Sequence, residues 1–260
     1  MTQKKNNLLD RLFSPRGIAV FGGISRPGAF GNLIAFSLIR YGYPGKLYPI
    51  SSKGGELNGH AIYKSIEAVD GPVDLASISV PAKFVPDILR SCLQQGVAGA
   101  QIHSSGFAEM GSSEGIALQK EVAAIAREGI RVVGPNCFGI HSPRGGITLL
   151  PGADFSKTPG SVALLSQSGG VATDFGYEAR LAGIHLSKMV SFGNGCDLDA
   201  ITLLDYLSTD PETDVIAAYL EGITDGQQFL ETLGRVTRQK PTVVWKAGLT
   251  PPGNRAAQSH

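Results

Sequence analysis

The first segment able to do chemistry is the turn Gly22-Gly23-Ile24-Ser25-Arg26-Pro27-Gly28-Ala29-Phe30-Gly31-Asn32. It follows the apolar run 18–21 and precedes Leu33, Phe36, Ser37 and Arg40 at helical spacing. Glycine lets backbone N–H groups approach a phosphate closely, and a helix N-terminus adds partial positive charge, so a diphosphate is the natural guest of such a strand-to-helix turn. The spacing departs from strict G-x-G-x-x-G, and a glycine-rich turn needed only for packing is the plain alternative. An NAD site wants an acid about 20 residues further on. Here the second strand-like run ends in Ser51-Ser52-Lys53, hydroxyls and a cation that suit a phosphorylated ribose, as in NADP or the 3′-phospho-ADP of coenzyme A; alone, Lys53 reads as a solvated lysine.

Two further turns have the same make-up. The run 131–133 enters Gly134-Pro135-Asn136-Cys137-Phe138-Gly139, and the run 161–165 enters Ser166-Gln167-Ser168-Gly169-Gly170 before a helix with Val171, Phe175 and Ala179 on one face. Both are expected to point free N–H groups outward from helix N-termini, a design for an oxyanion that suits phosphate better than metal. Cys137 as a nucleophile has no matching His and Asn or Asp pattern. Ser168 lacks the first glycine of G-x-S-x-G. At Tyr219-Leu220-Glu221-Gly222 a strand delivers a carboxylate at its carboxyl end, where open α/β sheets collect active-site groups; the plain alternative is an exposed loop acid. The sequence ends on His260, which read alone is a frayed terminal residue.

Strand-length apolar runs that alternate with helical segments must position these groups. Runs 18–21, 47–50, 75–80, 100–103 and 131–133 read as strands of one parallel sheet covered on both faces, and 161–165, 187–192, 215–220 and 242–246 as strands of a second. Helices are expected over 171–182, 198–207 and 227–237. The fold class is therefore α/β with two doubly wound parallel-sheet domains, over 8–145 and 155–260, joined by a Gly/Pro/Ser/Thr-rich connection at 142–160 that is expected to cross the surface.

Composition narrows the function. In 260 residues, 42% are apolar, 17% charged and 34 are glycine, which suits buried strands and tight turns. With 23 basic against 22 acidic residues, no global field attracts nucleic acid or anionic lipid. Residues 1–10 lack the apolar stretch of a signal peptide and no later run has membrane-spanning length, so a cytoplasmic location is expected. Three cysteines and five scattered histidines show no metal-ligand spacing.

Together these segments resemble the NDP-forming acyl-CoA synthetases, a family that includes ADP-forming acetate–CoA ligase and the succinyl-CoA synthetase α subunit. The likeness covers nearly the whole chain. It is carried in order by Ser14-Pro15-Arg16, the Gly22 turn, Val80-Pro81-Ala82, Ser105-Gly106-Phe107-Ala108-Glu109, Gly134-Pro135-Asn136-Cys137, Ser166-Gln167-Ser168-Gly169, Gly193-Asn194, Asp210-Pro211, Leu220-Glu221-Gly222 and Lys246-Ala247-Gly248. The resemblance implies a Rossmann-like CoA-binding domain followed by a flavodoxin-like ligase domain. It puts CoA along Gly22, Gly23, Ser25, Arg26, Gly31, Lys53, Val80, Pro81, Ser104 and Asn136. It puts phosphate at Asn136, Cys137, Phe138, Ser166, Gln167, Ser168 and Gly169. Ser259-His260 align with the first half of the family's S-H-T-G segment, which makes His260 the phosphorylated histidine and Glu221 the partner that fixes its ring. The implied chemistry is reversible: phosphate attacks an acyl-CoA to give acyl phosphate and CoA, His260 takes the phosphoryl group, and a nucleoside diphosphate receives it.

The chain departs from the family in carrying Ile24-Ser25 after the first glycines and Ser51-Ser52-Lys53 in place of N-P-K. The segment beyond His260 and an ATP-grasp domain are expected on a missing extension or a β subunit, where nucleotide and Mg²⁺ would bind; a small carboxylic acid or its acyl-CoA is the expected substrate and an oligomer the expected assembly. Two other readings stand beside this one: a non-catalytic module sensing CoA or acyl-CoA, and an NADP-binding oxidoreductase, for which the second domain offers no hydride-transfer constellation.

Overall fold

In the computed structural model, which describes residues 2–148 and 154–248, two five-stranded sheets form the body of the molecule. The first sheet consists of β1 (Gly17–Phe21), β2 (Lys46–Ile50), β5 (Leu75–Ile78), β6 (Gly99–Ile102) and β7 (Arg131–Val133), all parallel, in the order β2-β1-β5-β6-β7. A two-stranded hairpin, β3 (Gly55–Leu57) and β4 (His60–Ile62), follows β2. In the second sheet, β9 (Val162–Ser166), β10 (Leu186–Ser191), β11 (Val215–Leu220) and β12 (Thr242–Lys246) run parallel, with β8 (Gly139–His141) antiparallel to β10 at the edge.

The strands of the first sheet are apolar on both sides because both sides are covered. Ile18 and Val20 of β1 pack toward α1 (Thr2–Phe13) and α2 (Phe30–Tyr41), whereas Ala19 and Phe21 pack toward α3 (Val85–Gln94) and α4 (Ser113–Arg127). In the second sheet α5 (Gly169–Leu181) covers one face, while α6 (Ala200–Thr209) and α7 (Gly226–Val236) share the other. The α1/α2 face of the first sheet and the α6/α7 face of the second form one continuous apolar core.

Several features escape the sequence reading, the β3–β4 hairpin among them. Helix α1 lies in the segment read only as polar; its last turn buries Leu9, Leu12 and Phe13, and Phe13 stacks on Tyr206 of α6 at 5.3 Å. Strand β8 belongs to the second sheet although it lies within the span read as the first domain. The connection is not a surface crossing throughout: Ser142, Ile147 and Phe155 are buried, the last against Gly176 and Tyr177 of α5.

Candidate functional site

Chain order fixes where a ligand can sit. From β1 the chain moves outward to β2, then returns past β1 to β5, so a crevice opens between the carboxyl ends of β1 and β5. A cavity of about 750 Å³ lies there, walled by Gly22, Gly23, Ser25 and Arg26 after β1, Ser51 and Lys53 after β2, Ser79, Val80 and Pro81 after β5, and His103 and Ser104 after β6. The residues expected to line a cofactor path thus come together from four separate strand ends, apart from Gly31 and Asn136, which are not among its lining residues. A second cavity of about 490 Å³ shares the Gly22, Gly23, Ser51, Val80 and Pro81 wall; Ile66, Phe84 and Ile88 give it an apolar side, and Lys64 a cation beside the acids Glu67 and Asp87. Lys64 packs over Gly54, where a Cβ would lie 3.7 Å from its Cε. It escaped the sequence reading because no local pattern marks a hairpin residue that returns to the end of β2.

The glycines divide between packing and ligand. A Cβ on Gly22 would meet the Ser79 carbonyl oxygen at 2.2 Å and one on Gly31 the Gly22 oxygen at 2.0 Å, so both let α2 and β5 close on β1. Gly23, at φ +63°, lines the cavity. Helix α2 begins after Ala29 with no side-chain cap, so its first N–H groups have no side-chain acceptor beside the cavity wall formed by Ala29 and Phe30. Asn32 holds the turn in shape by donating to the Ile24 carbonyl at 2.8 Å. Ser104 Oγ donates to the Val80 carbonyl at 2.5 Å, tying the ends of β5 and β6 together. An elongated anion-bearing cofactor fits these groups: cations at Arg26, Lys53 and Lys64, hydroxyls at Ser25 and Ser51, and apolar walls.

At β7 the carboxyl edge of the first sheet meets that of the second. The chain leaves Val133, turns through Gly134 to Phe138, and enters β8 with Gly139 opposite Ser191 at the end of β10. This turn corrects one expectation, since no helix begins at Asn136-Cys137. The backbone N–H groups of Asn136 and Phe138 do not face outward either. They donate to the Ser104 carbonyl at 3.0 Å and to Ser191 Oγ at 3.2 Å, because the turn must satisfy its donors where two sheets meet. Cys137 is buried, its thiol donating to the Ile102 carbonyl, and burial pushes its pKa up to about 12, which suits a small structural residue.

The Ser166 turn keeps its expected form. Ser168 caps α5 by accepting from Val171 N–H at 3.4 Å, and the N–H groups of Gly169 and Gly170 have no intrahelical acceptor. Phe138 lies against this first turn, with its ring 2.8 Å from where a Gly169 Cβ would be. Gln167 Oε1 accepts from the N–H groups of Glu221 and Gly222 at 2.6 and 2.9 Å, so the carboxyl ends of β9 and β11, the reversal point of the second sheet, are locked together. Lys246 Nζ donates to the Glu221 carbonyl at 2.8 Å. The Tyr219 hydroxyl bonds the Glu221 carboxylate; burial and then that charge raise the tyrosine pKa. Phe138, the start of α5 and Glu221 therefore gather around one loop cluster. His260 lies outside the described residues.

Among the described residues no group of three or more His, Cys, Asp or Glu side chains could hold a metal, and no helix is long and apolar enough to cross a membrane. Fold and cavity define a two-domain α/β protein with an open cavity at the switch point of its first sheet. Residues 16–143 match the family model described as CoA binding domain, and residues 159–260 that of the succinyl-CoA ligase like flavodoxin domain. The chain belongs to the NDP-forming acyl-CoA synthetase family. It is 42% identical over 260 residues to acetate–CoA ligase [ADP-forming] I subunit alpha of Pyrococcus furiosus, a match covering 97% of this chain and 55% of that protein. It is 34% identical to 4-hydroxybutyrate–CoA ligase [ADP-forming] of Nitrosopumilus maritimus, covering 96% of this chain and 36% of the relative. The solved dinucleotide forming acetyl-coenzyme A synthetase 1 of Ca. Korarchaeum cryptofilum, apo form, superposes with a TM-score of 0.87 at 39% identity, covering 96% of this chain and 55% of that one. The chain spans about half the length of the first curated relatives it matches.

Proposed function

We propose that this chain supplies the CoA-binding and phosphoryl-carrying part of an NDP-forming acid–CoA ligase. The observation that carries the proposal is the cavity at the β1/β5 switch point, whose far wall at His103 and Ser104 adjoins the 134–138 turn that touches the start of α5. CoA would lie with its phosphates near Arg26, the uncapped start of α2 and Lys53, and its thiol arm past Val80, Pro81 and Ser104. The thioester would then reach the second sheet's turn, where phosphate is held by Ser166, Ser168 and the N–H groups opening α5.

Phosphate oxygen attacks the thioester carbonyl, the C–S bond breaks, CoA leaves as thiolate, and acyl phosphate remains. An imidazole nitrogen of His260 then displaces the carboxylate from phosphorus, which releases the free acid. Glu221 would fix the other ring N–H, and the dianion formed, of charge roughly −2, would lie at the α5 N-terminus. A nucleoside diphosphate with Mg²⁺, held by an ATP-grasp domain or subunit, would accept the phosphoryl group. The relatives named above are ligases for acetate and 4-hydroxybutyrate, so a small carboxylic acid is the substrate class we assign.

Calorimetric titration tests the reading. CoA is expected to bind with at least about tenfold preference over NADP. A preference for NADP, or no CoA binding by the folded chain, would remove the proposal.

A further inference from the structure

Strand β6 and the residue that follows it place two buried polar side chains among apolar ones. Gln101 and His103 stand two residues apart, on the same side of the chain, and Ser77 of β5 pairs in register with Gln101. Their side chains form a directed chain of hydrogen bonds. Ile140 N–H donates to Gln101 Oε1 at 3.1 Å, Gln101 Nε2 donates to Ser77 Oγ at 3.2 Å, and Ser77 Oγ lies 2.8 Å from His103 Nε2. His103 Nδ1 lies 3.0 Å from the Cys137 carbonyl oxygen. A carbonyl can only accept, so Nδ1 carries the proton, Nε2 is the acceptor, and the Ser77 hydroxyl donates to it.

This chain begins and ends on one short piece of backbone, Cys137 to Ile140, where the polypeptide passes from the first sheet to the second. The Cys137–Phe138 peptide is held on both sides: its carbonyl by His103, its N–H by Ser191 Oγ. The Phe138 ring that this peptide carries rests on Gly169 in the first turn of α5. His103 also walls the cofactor cavity while only 8% exposed. A ring that borders the cavity and orients a peptide in the phosphate-side turn links the two halves of the proposed reaction.

We propose that His103, as its Nδ1–H tautomer, is a positioning residue that sets the Phe138 turn, and through it the start of α5, against the thiol end of the CoA cavity. The proposal rests on the ligase reading above. It assigns His103 no contact with the reacting atoms; its removal misplaces the turn that must meet the cavity.

The test uses the full-length enzyme with its nucleotide-binding partner. Imidazole ¹⁵N spectra at pH 7 should show a protonated Nδ1 and an unprotonated Nε2 for His103; the opposite tautomer, or an even mixture, overturns the proposal. CoA affinity and phosphate-dependent thiol release from acetyl-CoA are then compared in His103→Ala and His103→Asn. We expect kcat to fall about tenfold in His103→Ala, by more than any rise in KM for acetyl-CoA. Asparagine, whose amide N–H can take the place of Nδ1–H, should recover most of that loss. A folded His103→Ala with wild-type kcat, or an asparagine variant no better than alanine, contradicts it. Should His103→Ala not fold, Ser77→Ala keeps the ring but removes the donor that fixes its acceptor nitrogen, and the same fall in kcat at unchanged KM is expected. A wild-type enzyme that neither binds CoA nor releases thiol would instead overturn the ligase reading, and the positioning role with it.

Discussion

At the scale of single residues, charge and burial make separate predictions. Lys53 walls the cavity beside Ser51, and on the proposed reading it would meet the 3′-phosphate of CoA. Lys53→Ala is expected to weaken CoA binding by about tenfold, the size of a lost charge-assisted contact, and to leave dephospho-CoA binding unchanged. Calorimetry with the two ligands checks this, and an equal loss for both would place Lys53 elsewhere on the cofactor. Two histidines make the second prediction. Burial lowers the pKa of His103 to about 4 against a weaker opposing bond to the Cys137 carbonyl, and burial lowers that of His141 to about 3. Both folded-state values lie below the ordinary 6.5, so the unfolded chain takes up protons that the native state refuses. Their contribution is fully present above pH 6.5 and is lost as pH falls toward 4 and then 3. Urea denaturation at pH 7.5 and 4.5 should show a loss of a few kcal/mol, on the order of 1.4 per pH unit for each histidine. His141→Phe should flatten the slope, because it removes one of the two titrating rings at the cost of its Nδ1 contact to Thr148 Oγ1.

The lining groups were the most legible part of the sequence at this scale. Gly22, Ser25, Arg26, Lys53, Pro81 and Ser104 each follow a strand end closely, and strand ends are visible as apolar runs that stop. His103 was hidden because five scattered histidines suggest nothing until the strand alternation beside Gln101 is set against the register of Ser77. The donors of Asn136 and Phe138 were misjudged for a physical reason: a turn between sheets bonds to both, and sequence spacing carries no record of the second sheet's approach.

At the scale of elements, the parallel strands were legible because their apolar runs are continuous, whereas the amphipathic helices were read less well. In α2 the residues at helical spacing that first catch the eye, Leu33 and Phe36, lie on the exposed side; Ile34, Ala35, Leu38 and the small pair Gly31 and Asn32 form the buried one. Close approach of α2 to β1 rests on that small pair. Gly31→Ala would place a methyl group 2.0 Å from the Gly22 carbonyl, and is expected to lower stability by about 2 kcal/mol while distorting the cavity turn enough to weaken CoA binding. Wild-type affinity in this variant would show the turn to be independent of α2. Helix α1 was missed because its first half is polar in sequence and its buried residues Leu9, Leu12 and Phe13 come only at its end. That end joins the two sheets: Phe13 stacks on Tyr206, whose hydroxyl donates to Asp10, and Arg11 pairs with Asp74 ahead of β5. Phe13→Ala is expected to cost about 3–5 kcal/mol in chemical denaturation, in a single transition, because the core it enters is shared by both sheets. Two separate transitions would contradict a shared core.

At the scale of the whole molecule, what the sequence could not show is the direction in which the two sheets face. Alternation of strands and helices predicts two open sheets; it does not say that β8 crosses to the second sheet and turns both carboxyl edges toward one loop cluster. That arrangement also explains Glu109. Burial opposes its ionisation, but the Asn194 amide and the N–H groups of Gly106 and Phe107 outweigh it and hold the carboxyl below its usual range, pinning the loop after β6 to the loop after β10. A cofactor cavity in one sheet and an anion-favouring helix start in the other then share a border, and the account depends on a phosphoryl group crossing it to His260. The most direct measurement is transfer of label from [γ-³²P]ATP to the full-length enzyme with its nucleotide-binding partner. The account predicts an acid-labile, base-stable label, absent in His260→Asn and discharged by ADP or by acid together with CoA. A label that persists in His260→Asn, or that CoA and acid together fail to discharge, would contradict it.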